Sequence, residues 1–243
     1  MNKVFTRRVS IQARIMFVLI ILPLYMYCGS LILSALLKFI LVQLSLQIDY
    51  VSANTYLNFV MDFIMLIIVF FIIKDEILEQ WKDYFKSLKS NLIYGCLVGP
   101  ATIYGLSILG GLITLAFGGN QLSENQELIN IMTQSKPILM IITTVILAPI
   151  LEEFVFRGIV FGWLYEYNRY VAHIVTALLF AFVHVMMAIF SGNVSEWVQI
   201  FVYLFMAFPL SYLYEKSNNI FVPISTHMIN NFISIVLLIL GNG

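Results

Sequence analysis

The stretch ILMIITTVILAPILEEFVFRGIVFGWL, residues 138–164, contains no charged side chain other than Glu152, Glu153 and Arg157. A helix of this length spans about 40 Å at 1.5 Å per residue, which is enough to cross the hydrocarbon core of a bilayer. A charge at the bilayer centre costs about 2.5–3.5 kcal/mol on insertion scales, so charges inside a span need partners. The stretch therefore predicts a membrane helix that carries a polar site.

The composition of the whole chain agrees with this interpretation. Of its 243 residues, 61% are hydrophobic and only 11% are charged, and the mean hydropathy is +0.94. These values predict an all-α, polytopic integral membrane protein with about seven to eight transmembrane helices. The net charge is zero and no basic block is dense, so no nucleic-acid partner is expected. Cys28 and Cys96 lie in apolar runs without CxxC spacing and are expected to be small buried side chains.

The apolar runs divide the chain into seven predicted spans. An eighth would require one long run to be split, and the candidate is the fourth, which contains Pro149. Gly95-x-x-x-Gly99 in the third span predicts close helix packing. We expect one membrane domain, with N-terminal helices in 1–136 and a catalytic core in 137–243. The predicted spans are 15–37, 53–73, 91–118, 138–164, 171–190, 197–214 and 220–240.

Two segments between the spans have their own character. In residues 74–90 the apolar positions fall on one helical stripe and the lysines lie off it, which predicts an amphipathic helix in the membrane interface that contacts anionic lipids. Residues 119–136 are polar, and Ser123-x-x-Gln126 fits a capping box, so this loop is expected to hold a short helix.

Charge asymmetry orients the spans. Seven spans put ten lysines and arginines on the side of the N-terminus and two, Lys38 and Lys136, on the other. By the positive-inside rule the N-terminus is predicted to be cytoplasmic in a multi-pass cell-membrane protein. The ten are Lys3, Arg7, Arg8, Arg14, Lys74, Lys82, Lys86, Lys89, Arg169 and Lys216.

Helical spacing separates the two neighbouring glutamates. Glu153 and Arg157 are four residues apart and share a face, so they are expected to form an ion pair. Glu152 is rotated by about 100° from Glu153 and is expected to be the unpaired carboxylate. Such a cluster often serves only to tie helices together, but an acid left outside the pair favours a chemical role.

Two of the three histidines lie inside spans and repeat one spacing. Phe180 and His184 are four residues apart on the fifth span, and His227 and Asn231 are four apart on the seventh. Counting about 1.5 Å per residue from the cytoplasmic helix ends gives depths of roughly 20 Å for Glu152 and His184, 16 Å for Asn231 and 10 Å for His227. The four residues are therefore expected in one layer of the membrane. His173, at the end of the fifth span, is expected to be interfacial.

These residue types can hydrolyse an amide. A glutamate in a low-dielectric site is a stronger base than one in water and can take a proton from a water molecule that a histidine also holds. An asparagine amide and a second imidazole can stabilise the tetrahedral oxyanion, where one donor contributes about 2.7–4 kcal/mol. No HExxH motif, GxSG-type serine or pair of intramembrane aspartates offers another hydrolytic chemistry.

Glu152-Glu153-x-x-x-Arg157, Phe180-x-x-x-His184 and His227-x-x-x-Asn231, in this order on successive helices, resemble the CAAX protease and bacteriocin-processing (CPBP, or ABI) family of intramembrane glutamate proteases. The resemblance covers roughly residues 137–240. It implies that Glu152 and His184 activate water, that His227 and Asn231 form the oxyanion site, and that Glu153, Arg157 and Phe180 support them. It also implies a peptide substrate or a lipidated, membrane-associated protein substrate, as in CAAX processing or in bacterial peptide maturation and bacteriocin immunity.

Three alternatives stay open at this point. A zinc peptidase could use Glu152, His184 and His227 as ligands, although the favoured form has no cofactor because asparagine has no role as a zinc ligand. A non-catalytic immunity or scaffold protein would instead bind a toxin or a sensor. A proton-coupled transporter could use Asp62 and Glu152, but the chain shows no repeat symmetry to support it.

Overall fold

The computed structural model describes residues 9–120 and 122–241, and all regular secondary structure in these residues is helical. Six helices are long and apolar enough to cross a membrane, and two shorter apolar helices, Ile11–Ile21 and Gly29–Gln43, precede them. The predicted all-α, polytopic membrane fold is confirmed. Lys3, Arg7 and Arg8, used to predict the orientation, lie outside the described residues. We number the helical elements α1 (11–43), α2 (Tyr50–Lys86), α3 (Leu88–Ala116), α4 (Glu124–Ser135), α5 (Pro137–Tyr165), α6 (Arg169–Phe190), α7 (Val194–Ser217) and α8 (Phe221–Gly241).

α5, which contains the charged stretch, is the central helix. Half of the residues in its most apolar window are buried, against 17% for α2. Its buried side chains include Leu151, Phe156 and Phe161, which belong to the main hydrophobic core. The remaining spans therefore shield the polar groups of α5 from lipid.

Three prolines within the helices are preceded by wide turns and do not end the helices. Wide π turns at 17–21, 93–98 and 142–147 each end two residues before a proline, namely Pro23, Pro100 and Pro149. A proline ring clashes with the carbonyl four residues earlier, and a wider turn relieves the clash. The helix continues past Pro149 to Tyr165. The fourth predicted span is therefore not split at Pro149, as it would have to be to give an eighth span.

α2 is kinked at Ile73, whose backbone is non-helical with φ −124° and ψ 26°. The kink lies where the amphipathic segment was predicted to begin. Beyond it, Tyr84 is buried and the ring of Trp81 lies 5.0 Å from that of Phe221 at the start of α8. Part of this segment therefore packs on protein, and its contact with lipid remains a prediction.

α3 and α8 approach closely at the predicted small-residue pair. Thr226 donates a hydrogen bond to the carbonyl of Gly95 at 2.9 Å. A Cβ added to Gly99 would lie 2.2 Å from Thr226 Oγ1, so no larger residue fits there without a shift. The packing role of Gly95 and Gly99 is confirmed, and it fixes the part of α8 that carries His227.

The predicted short helix in the polar loop is also confirmed as α4. Ser123 Oγ accepts a hydrogen bond from the backbone N–H of Gln126 at 3.2 Å and so caps its start. The same hydroxyl forms a 2.6 Å hydrogen bond with the hydroxyl of Tyr203 on α7. The loop between α3 and α5 is thereby fastened beside the site described next.

Candidate active site

The two glutamates of α5 are both buried in the centre of the bundle. Glu153 is fully buried and Glu152 is 8% exposed. The eight residues that follow them, Phe154–Phe161, form a wide π turn that contains no proline. Wide turns of this kind occur frequently at functional sites because they change the direction in which side chains project.

The predicted ion pair between Glu153 and Arg157 is confirmed. Arg157 Nη1 donates to Glu153 Oε1 at 3.0 Å, and both side chains are fully buried. Nη2 donates to the carbonyl of Ala207 on α7 at 3.1 Å, and the guanidinium lies 4.7 Å from the ring centroid of Phe180 on α6. Arg157 therefore connects three helices around the carboxylate of Glu153.

His227 lies between the two glutamates. Its Nδ1 is 2.9 Å from Glu153 Oε1, and its Nε2 is 3.8 Å from Glu152 Oε2. The first contact is a hydrogen bond, whereas the second is too long for one. Because an ionised carboxylate can only accept, the Glu153 contact requires a proton on Nδ1 of His227. Glu153 thus orients His227 as well as pairing with Arg157, which helical spacing did not reveal.

His184 is fixed by its own helix and by two aromatic rings. Its Nδ1 donates to the carbonyl of Phe180 at 2.8 Å, since a carbonyl can only accept. Its ring lies 4.5 Å from the ring of Phe180 and 4.5 Å from that of Tyr203. Nε2 has no hydrogen-bond partner within the part of the chain that the structure describes, and it interacts electrostatically with Glu152 and His227. The neutral ring therefore has a free lone pair at Nε2.

Asn231 lies one helical turn beyond His227 on α8. Its amide nitrogen donates to the carbonyl of Thr144 on α5 at 2.9 Å, and its oxygen accepts from Asn230 at 3.3 Å. Thr144 precedes Glu152 by eight residues, so the structure brings Asn231 to α5 but not into direct contact with the glutamates and histidines. One of its two amide N–H groups remains available beside the carbonyl contact.

Glu152 stays outside the ion pair of Glu153 with Arg157, as helical spacing predicted, but it has a hydrogen-bond partner on another helix. Tyr25 on α1 donates a hydrogen bond to Glu152 Oε1 at 2.9 Å. The contact joins residues 127 positions apart, and no local pattern indicates it. Asp62 on α2, which had no predicted partner, is 9% exposed and interacts electrostatically with both Tyr25 and Glu152. Glu152 Oε2 is buried without a hydrogen-bond partner among the described residues.

His173 belongs to a separate cluster. Its Nδ1 lies 2.7 Å from Ser211 Oγ and its Nε2 lies 3.0 Å from Glu215 Oε2. Glu215 also accepts from Tyr165 at 2.9 Å and from Arg169 at 2.6 Å. These contacts fasten the start of α6 to the end of α7, so His173 has a structural partner in the protein.

A metal ion here would need three or more converging ligands. No group of three histidine, cysteine, aspartate or glutamate side chains in residues 9–120 and 122–241 is arranged to hold one. Glu152 Oε2 and His227 Nε2 do converge at 3.8 Å, and because Glu153 holds the Nδ1 proton, the lone pair of a neutral His227 ring would lie on Nε2. Cys28 is exposed, Cys96 is half-buried and neither forms a disulfide, so the expectation that both are buried is wrong for Cys28.

The fold and this site define a helical membrane protein whose central span holds two acids against a histidine from α8. Residues 134–233 match the family described as type II CAAX prenyl endopeptidase Rce1-like. The resemblance found in the three motifs is confirmed at the level of the family.

The chain is also similar to three bacterial proteins. YdiL of Bacillus subtilis, provisionally named a membrane peptidase, is 35% identical over 138 residues, which are 56% of this chain and 52% of YdiL. The membrane-embedded CAAX protease MroQ of Staphylococcus aureus is 30% identical over 164 residues, 64% of this chain and 62% of MroQ. YvdC of Lactococcus lactis is 28% identical over 195 residues, 79% of this chain and 69% of YvdC. The chain thus matches between about half and two thirds of the length of these relatives. No solved structure matches it.

Proposed function

We propose that the protein is an intramembrane endopeptidase that hydrolyses a peptide bond with a water molecule activated by Glu152 and His184, without a metal ion. The observation that supports this most is the convergence, inside a buried site, of an unpartnered oxygen of Glu152 with Nε2 of His227, 3.8 Å apart. A carboxylate and an imidazole held apart at this distance leave polar atoms free for a reacting group.

In the first step, Glu152 Oε2 takes a proton from the water molecule while the water oxygen attacks the carbonyl carbon of the peptide bond. His184 Nε2 accepts a hydrogen bond from the same water through its free lone pair, because Nδ1 already donates to Phe180. The protonated Glu152 then returns the proton to the leaving amine as the carbon–nitrogen bond breaks. General base and acid catalysis of this kind contributes about 10²- to 10⁴-fold in rate.

His227 is the proposed donor to the oxyanion. Since its Nδ1 proton is held by Glu153, Nε2 can donate only when the ring is the imidazolium. With His227 positive, the two glutamates, Arg157 and His227 together carry zero net charge. The imidazolium is therefore the form suited to stabilising a developing negative charge.

Asn231 is the proposed second donor. Its bond to the carbonyl of Thr144 fixes the plane of the amide and leaves its other N–H for the oxyanion. An amide donates without changing its protonation, so its contribution would strengthen only as negative charge develops. Glu153, Arg157 and Phe180 then have the role of a frame that holds the two histidines.

The substrate class follows from the depth of the site and from the family. A site enclosed by membrane helices is reached by a segment that lies in or on the bilayer, so the proposed substrate is a membrane-associated peptide or protein, which includes lipidated proteins. Membrane lipids are the other expected partner, and no nucleic acid is expected. The proposed location is the cell membrane with a cytoplasmic N-terminus.

The test uses membranes from a strain that lacks the protein. These are incubated with purified wild-type protein or with the Glu152→Gln variant, and new peptide termini are identified by mass spectrometry. We expect discrete new termini in membrane-associated proteins with the wild type and none with Glu152→Gln. Two results would instead support a non-catalytic binding role. One is that both proteins produce the same termini. The other is that neither produces new termini while both restore the phenotype of the strain that lacks the protein.

A further inference from the structure

α1 contributes a polar group to the site although it lies outside the segment that matches the family, residues 134–233. The group is the hydroxyl of Tyr25, which donates to Glu152 Oε1 at 2.9 Å. The side chain of Tyr25 is half-buried and packs against the main core. The contact therefore forms inside the protein and not on its lipid-facing surface.

The sequence of α1 explains why Tyr25 reaches the site. Phe17, Ile21, Tyr25 and Gly29 follow one another at four-residue intervals, so they lie close to one face of the helical segment. Phe17 is 1% exposed and Ile21 is 2% exposed, and Gly29 is buried where an added Cβ would meet the side chain of Met61. This stripe fixes α1 against the bundle on both sides of Tyr25. The wide turn Leu24–Cys28 after Pro23 sets the direction of the tyrosine ring.

We infer that Tyr25 is a positioning residue for the general base, and that α1 completes the site that α5, α6 and α8 begin. This inference rests on the proposed function. A carboxylate has two oxygens, and the bond from Tyr25 occupies Oε1 of Glu152 while Oε2 stays without a partner. The hydroxyl therefore determines which oxygen faces His227 Nε2 and the reacting water. An ionised carboxylate is the form that can accept both this hydrogen bond and a proton from water.

Several titratable or charged groups surround Glu152. From α2, Asp62 is a second buried carboxyl group that interacts electrostatically with Glu152. From its own helix, Glu153 is paired with Arg157 at 3.0 Å. From α8, His227 Nε2 lies 3.8 Å from Glu152 Oε2, and from α6, His184 also interacts with Glu152. Among these neighbours, the Tyr25 hydroxyl donates the hydrogen bond that Glu152 receives in this structure.

The test compares Tyr25→Phe with the wild type on a synthetic peptide that spans a cleavage site found in the experiment above. The substitution removes the hydroxyl and keeps the ring that packs in the core. A hydrogen bond to a charged group corresponds to about a 10- to 100-fold effect. We expect kcat near neutral pH to fall by about that factor with KM within about twofold, and the acid limb of the pH–rate profile to move to higher pH by about one unit. The matched control is Tyr50→Phe, because Tyr50 is 77% exposed.

A second variant decides the question if Tyr25→Phe does not fold. Incorporation of 3-fluorotyrosine at position 25 keeps the hydroxyl but makes it a stronger donor, so the acid limb should move to lower pH. An unchanged kcat and an unchanged pH profile, or a loss confined to KM or to the melting temperature, would overturn the inference. Its failure differs from failure of the proposed function. In the first case Glu152→Gln is inactive while Tyr25→Phe is fully active, and in the second case Glu152→Gln itself cleaves.

Discussion

Replacing Glu153 by glutamine should destabilise the protein far more than the same change at Glu152. Glu153 Oε1 accepts from Arg157 at 3.0 Å and from His227 at 2.9 Å, and both Glu153 and Arg157 are fully buried. Glutamine keeps one acceptor oxygen but removes the charge. The buried guanidinium of Arg157 would then have only neutral acceptors, the amide oxygen and the carbonyl of Ala207, and its Nε already has no partner among the described residues. Breaking a buried ion pair from one side costs about 3–5 kcal/mol.

The comparison with Glu152 makes this prediction specific. Glu152 is not paired with a cation on its own helix, and a glutamine there can still accept from Tyr25. Glu152→Gln should therefore leave the melting temperature in detergent unchanged or slightly raised, as expected where a buried charge is kept for chemistry at the expense of stability. The assay is a thermal shift on purified variants, with Glu127→Gln as the control because Glu127 is exposed. A large loss of stability in Glu152→Gln and none in Glu153→Gln would mean that the two roles are reversed.

Four further outcomes follow from the same structure. Asn231→Ala should lower kcat by about 10²- to 10³-fold with little change in KM, and an equal loss of substrate binding would instead make Asn231 a substrate clamp. Gly99→Ala should destabilise the protein by about 1–3 kcal/mol in a thermal or denaturant melt, because its Cβ would overlap Thr226. Cleavage should persist in excess chelator, and inhibition reversed by added zinc would support the zinc peptidase. A reporter fused to the C-terminus should lie outside the cytoplasm, and a cytoplasmic signal would contradict the predicted orientation.

The sequence predicted the features that depend on local periodicity. The apolar runs predicted the six spans from residue 50 onward, whereas the predicted span 15–37 falls on two shorter apolar helices. The four-residue spacing predicted the ion pair of Glu153 with Arg157 and the contact of Phe180 with His184. The capping box gave α4, and the small-residue pair gave the close approach of α3 and α8. The ion pair, the ring contact and the cap each join residues of the same helix. For the contact between α3 and α8, glycine itself indicates that another backbone approaches closely.

The features that depend on how helices meet were not predictable in this way. The count of residues from the helix ends put Asn231 nearer than His227 to the depth of Glu152, yet His227 is the residue that contacts both glutamates. A rise of about 1.5 Å per residue gives the depth of a residue in the membrane only if the helix is straight and normal to the membrane. α5 contains two wide segments, 142–147 and 154–161, that alter its rise and rotation. The contact of Tyr25 with Glu152 depends on the docking of α1 and leaves no trace in spacing.

Glu152 is proposed as the base that activates water in a buried site, and one rate measurement tests this proposal most directly. Purified wild-type and Glu152→Gln proteins, shown to be folded by their melting curves, are compared on the same peptide under saturating conditions. We predict that kcat falls by about 10²- to 10⁴-fold in Glu152→Gln, which is the range that general acid–base catalysis contributes. A Glu152→Gln protein that cleaves the peptide within about threefold of the wild-type rate would contradict the account.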